Sequence, residues 1–248
     1  MTKNTKTILG WCFYDFANSA FTTIVVTFIY SAYFADGIVG DDAMGQVYWG
    51  NAITICAIMI ALLSPIMGAA ADQGGYRKSF LLFWTWVCII FSILLFFPQK
   101  GDIYTSLILF SIANIAFEMG CVFCNAYVSD ISNSNNMGKI SGYGYAFGYL
   151  GGLLALAFGL VTIALPDQPM FGISTDGGEH YRAMNILVAL WLFIFSIPTF
   201  LWLDKDTPKK KLNSDLIKNS FNQLRNTFRD IKKIKNTLRF LIARLFYN

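Results

Sequence analysis

The 248-residue chain is 55% hydrophobic and only 14% charged, with a mean hydropathy of +0.50 and a formal net charge of +4. Soluble domains carry about a quarter charged residues, and here the apolar residues come in long blocks instead of amphipathic stripes. A water-soluble globular domain is therefore excluded, and the chain reads as an all-α integral membrane protein.

Six blocks, at 10–34, 48–71, 79–98, 103–127, 140–165 and 183–203, are long enough to cross a bilayer, which takes about 20 apolar residues. The first is too long for a cleaved signal peptide and lacks a small-residue cleavage site. Alternate connections and the tail hold 17 of the 19 bases; only Lys100 and Arg182 fall on the opposite side, with seven acids. By the positive-inside rule both termini are expected in the cytoplasm, in a bacterial inner membrane. The bilayer accounts for the basic charge, so no nucleic-acid partner is expected.

In the first block, WCFYDFANSAF places Asp15 about one turn into the span, on a polar stripe with Ser19 and Thr22 and beside Asn18. An ionisable residue in a span is costly and so a functional candidate, although Asp15 also suits a structural role at a helix start. Ser64-Pro65 in the second block and Pro198 in the sixth predict kinks, because proline removes a helix hydrogen bond. The third block, FLLFWTWVCIIF, carries no acid and reads as lipid-facing. In the fourth, Ser111, Asn114, Glu118 and Asn125 are spaced 3, 4 and 7 and share one helix face. Such a stripe faces the bundle interior or a water-filled cavity, where Glu118 either takes up a proton or a cation or holds a structural hydrogen bond with Asn114.

The fifth block, SGYGYAFGYLGG, repeats Gly144, Gly148 and Gly152 every four residues, with Gly151 widening the groove. Small residues at this spacing admit a second helix backbone, either as static packing or as a surface for sliding. Tyr143, Tyr145 and Tyr149 interleave as pore-lining or interfacial rings. The connection at 166–182 includes the chain's one histidine, His180, read as a solvated loop residue. Five cysteines, Cys12, Cys56, Cys88, Cys121 and Cys124, lie in apolar blocks. Their odd count argues against a disulfide framework, and Cys121-x-x-Cys124 reads as packing thiols. Neither a metal site nor a cofactor nor a catalytic group is expected: there is no nucleotide-binding loop, no nucleophile elbow and no metal-ligand cluster.

Beyond residue 203 a polar linker leads to apolar residues at Ile217, Phe221, Leu224, Phe228 and Ile231, a basic amphipathic helix capped by Ser214. TLRFLIARLFYN then begins a further apolar block too short to span. The organisation read from the chain is a six-helix transmembrane bundle at 1–204, a basic cytoplasmic segment at 205–237 and the start of a seventh helix at 238–248.

Between the second and third blocks stands GAAADQGGYRK. Gly68 and Asp72 share a face, Gly74-Gly75 permit a sharp reversal, and Arg77 and Lys78 hold the loop on the cytoplasmic side. This stretch resembles the G-x-x-x-D-(R/K)-x-G-(R)-(R/K) loop of the major facilitator superfamily, with Gln73 in place of the usual base and one residue inserted near the second glycine. WCFYDFANSAFTTIVVTFIY, NAYVSDI and SGYGYAFGYLGG resemble the first, fourth and fifth helices of its autophagy-related vacuole-effluxer-like branch, and FLIARLFYN the start of the seventh. The resemblance implies the N-terminal half of a twelve-helix permease, a 3+3 inverted repeat. Asp72 is then a gating acid with Arg77 as its support, the partner is a C-terminal six-helix half missing from this chain, and the activity is secondary transport of small solutes such as amino acids. A non-transporting six-helix scaffold is the other reading kept open.

Overall fold

A computed structural model describes residues 3–207 and positions 239 and 243. The expected amphipathic helix from Ser214 lies outside the described residues, as does the expected seventh-helix start but for those two positions. Among the described residues the chain is helical throughout its apolar blocks, with six stretches long and apolar enough to cross a membrane. Their main helices are α1 (Lys3–Ala20), α2 (Asp42–Gly74), α3 (Arg77–Leu94), α4 (Ile103–Ala126), α5 (Met137–Gly159) and α6 (Glu179–Trp202).

Two compact units are distinguished, one of Met1–Ile60 and Lys78–Lys205, the other of Ala61–Arg77 and Asp206–Asn248. In the larger unit α1 packs beside α5 and α6, while α4 packs beside α2 and α3. Thr199 Oγ1 donates to the Gly10 carbonyl at 2.7 Å on the α1–α6 side. The Trp49 and Phe110 rings stack with centroids 3.9 Å apart on the α2–α4 side. The first helix of each three-helix half thus packs against the other half. α1 and α4 meet centrally, where Trp11 Nε1 donates to the Cys124 carbonyl at 2.9 Å.

The first span begins earlier and ends later than its apolar block. Its helical path starts at Lys3 and continues through π-helical turns at Phe21–Phe28 and Phe34–Val39. Thr5 and Lys6 continue a helix as well as apolar residues do, so hydropathy misplaced the start. Asp15 stands about 18 Å along this helix from Lys3, at 1.5 Å per residue. In the π turns the Ile29 amide reaches back to the Ile24 carbonyl at 3.0 Å, widening the coil at a point where no proline or glycine marks it. The helices run through Pro65 and Pro198.

Two further expectations are corrected. α3 is not uniformly lipid-facing: Leu81, Thr85, Cys88 and Ser92, spaced 4, 3 and 4, are buried, while Leu82, Phe83, Trp86 and Ile90 are exposed. Tyr14 donates to Thr85 Oγ1 at 3.0 Å, because the Thr85 hydroxyl proton is committed to the Leu81 carbonyl at 2.7 Å. His180 is not a solvated loop residue either. It lies in the first turn of α6 and is buried, as is Arg182, whose Nη1 donates to the Phe96 carbonyl at 3.2 Å. The connection ends four residues before the apolar block begins, since Gly177 and Gly178 adopt positive φ and α6 starts at Glu179.

Candidate functional site: a polar groove between α1, α4 and α5

A polar side chain deep in an apolar helix must find company away from lipid. α1 carries Asp15, Asn18 and Ser19 and then, in the π-helical turn, Thr22 and Thr23. α4 presents Phe117, Cys121 and Asn125 at four-residue spacing, and α5 presents Gly144, Tyr145, Gly148, Tyr149 and Leu153. These rows line one cavity of about 640 Å³.

The glycines of α5 set its shape. A β-carbon at Gly144 would lie 2.8 Å from Asp15 Oδ2, one at Gly148 3.0 Å from Ser19 Oγ and one at Gly152 2.6 Å from Thr23 Oγ1. A β-carbon at Gly151 would run into the Phe16 backbone. The four glycines therefore admit the polar row and backbone of α1 and leave the cavity open beside them. Across the groove, Asn18 Nδ2 donates to Cys121 Sγ at 3.4 Å. At its mouth the exposed Tyr145 and Tyr149 pack edge to face, centroids 4.8 Å apart and hydroxyls 3.2 Å apart.

Three expected site residues, Asp15, Asn18 and Asn125, come together here; Glu118 and Asn114 do not line the groove. Glu118 is half-buried and Asn114 buried, and neither has a side-chain hydrogen-bond partner among the described residues, so no bond joins them. Glu118 lies one turn before Cys121 on α4, outside the lining. Thr23, Phe28 and Phe117 are lining residues that sequence reasoning missed. Thr23 follows Ser19 by four residues and so continues the Asp15–Ser19 stripe, a spacing from which it could have been read.

Against known sequences, the profile of the family described as "Vacuole effluxer Atg22 like" matches residues 49–137 and 128–248. The chain belongs to this family. The Bacillus subtilis MFS-type transporter YxiO is 26% identical over 250 residues, covering all of this Atg22-like chain and 58% of the relative. An Aquifex aeolicus protein is 27% identical over 83% of the chain and 47% of its own length. Autophagy-related protein 22-1 of Penicillium rubens is 31% identical over 65 residues, 26% of the chain. The chain thus spans about half the length of the two relatives that match most of it. No solved structure matches.

The loop that joins α2 to α3 in the Atg22-like chain has its own geometry. Gly75, with φ of +73°, makes the reversal, and its amide and that of Tyr76 both return to the Ala71 carbonyl. This double closure is the usual left-handed end of a helix; Gly74 is still helical. Asp72 Oδ1 accepts from Arg77 Nε. A β-carbon at Gly68 would meet nothing within 4 Å among the described residues. Lys78 has a role the sequence did not suggest: its Nζ donates to the Leu203 carbonyl at 2.7 Å. A cation on the terminal carbonyls of α6 offsets the negative end of that helix.

Proposed function

We propose that this Atg22-like chain is one half of a secondary transporter that moves a small solute by alternating access, completed by a second six-helix half. The supporting observation is the groove itself: a cavity of organic-ligand size, walled by polar side chains from three apolar helices. The name of the B. subtilis relative, an MFS-type transporter, points the same way. Amino acids are the solute class proposed first.

In this reading the solute sits against Asp15, Asn18, Ser19 and Asn125. Glu118, half-buried one turn along α4 from Cys121, carries the coupling proton, with Asn114 on the same face. The seam of Gly144, Gly148, Gly151 and Gly152 is the surface on which α5 shifts against α1. Asp72, supported by Arg77, and with Gly68, Gly74 and Lys78 in the same loop, closes the cytoplasmic side against the second half. The protein lies in an inner membrane with both termini cytoplasmic.

The test is solute uptake by the full-length protein in liposomes, with a panel of radiolabelled amino acids and amines and an imposed proton gradient. Gradient-driven uptake that Glu118→Gln abolishes is expected. Uptake indifferent both to that substitution and to collapse of the gradient rejects proton coupling; no uptake of any solute rejects transport.

A further inference from the structure

The charge inventory of the groove narrows what it holds. Of its 14 lining residues, Asp15 alone is charged at neutral pH; no lysine, arginine or histidine is among them. Asp15 is half-buried and has neither an ion pair nor a hydrogen-bond partner among the described residues. A carboxylate held away from water without a counter-charge is unfavourable, and the groove provides none.

Resting on the transporter reading, we propose that the groove recognises a net-cationic organic amine, its ammonium seated at Asp15. Ser19, with its hydroxyl next to Gly148, supplies an acceptor beside the carboxylate. The apolar part of the solute lies on Phe28, Tyr145 and Tyr149, whose ring faces also favour a cation. A bare metal ion fits poorly. The cavity of about 640 Å³ is far larger than an ion, and the described residues hold no group of three His, Cys, Asp or Glu side chains for one. A zwitterion fits less well than an amine, because among the described lining residues no cationic side chain answers its carboxylate.

The experiment is calorimetric titration of the purified full-length protein in detergent with phenethylamine, 3-phenylpropan-1-ol and phenylalanine, with liposome flux measured in parallel. Phenethylamine is expected to bind about 10- to 100-fold tighter than the alcohol, the range of one hydrogen bond to a charged group. Asp15→Asn removes that preference and Asp15→Glu retains it. An amine bound no better than the alcohol, no binding of any probe, or a preference that survives Asp15→Asn overturns the proposal. If Asp15→Asn does not fold, the wild-type ligand series decides by itself, and Tyr149→Leu is expected to weaken the amine about fivefold, as loss of a cation–ring contact does. Flux of other solutes with no amine preference overturns cation recognition and leaves transport standing. Amine binding with no flux of any solute does the reverse.

Discussion

α1 has two flanks, and they are built differently. Against α6 it is tied by directional bonds: Thr199 Oγ1 to the Gly10 carbonyl at 2.7 Å, Trp191 Nε1 to the Phe16 carbonyl at 3.3 Å and Thr7 Oγ1 to the Trp202 carbonyl at 3.4 Å. The Phe16 ring also stacks on Trp191 at 5.5 Å. Against α5, no side-chain hydrogen bond crosses among the described residues, and contact runs through Gly144, Gly148, Gly151 and Gly152. A hydrogen bond fixes register, since its geometry fails within a fraction of an ångström. A glycine seam sets a close approach of two backbones without directional bonds, and here one ring contact, Phe13 on Phe147 at 5.8 Å, accompanies it. The directional bonds of α1 thus lie on its α6 flank, and the groove lies on the flank packed through glycines.

The largest effect is expected from closing the glycine flank. Gly151→Leu drives a side chain into the Phe16 backbone, and overpacking of this kind costs about 3 kcal/mol. Thermal unfolding in detergent should show a melting point lowered by many degrees or no folded protein; an unchanged melting point breaks the seam. Gly148→Ala meets only the Ser19 hydroxyl, which can rotate. It should cost about 1 kcal/mol and slow solute flux in liposomes; flux equal to wild type counts against sliding along the seam.

On the tied flank, Thr199→Val removes one buried bond, and such bonds in membrane bundles average about 0.6 kcal/mol. Its unfolding curve should shift slightly; a loss as large as that of Gly151→Leu would reverse the contrast drawn between the flanks. The smallest effect belongs to Asp72→Asn. Its partner Arg77 and the acid itself are both partly exposed, and exposed pairs are worth about 0–1 kcal/mol. Stability should stay within error, so any change in flux from this variant reports on gating and not on folding.

Much of this was legible in the residues. Long apolar blocks give span centres, because hydrocarbon tolerates little else over about 20 residues. The glycine repeat at Gly144, Gly148 and Gly152 and the Asp15–Ser19 stripe were readable as helix faces, since a period near four lines up side chains whatever the tertiary fold. What hydropathy could not reach was partnership. Thr85 looks like one polar residue in a greasy helix until Tyr14 is found donating to it. His180 and Arg182 look like loop residues, since only the positive φ of Gly177 and Gly178 shows where α6 begins. Asp15 and Glu118 look alike in sequence, yet the first lines the groove and the second stands beside it.

Cys121 offers the most direct test, because it is the one cysteine lining the groove while Cys12, Cys56, Cys88 and Cys124 are buried. The full-length protein in sealed, oriented vesicles is treated with a membrane-impermeant maleimide from either side, and labelling of Cys121 is read by mass spectrometry. A groove that serves both faces of the membrane in turn predicts labelling from each side in the same population, with a bound amine slowing both. Labelling confined to one side would contradict the account.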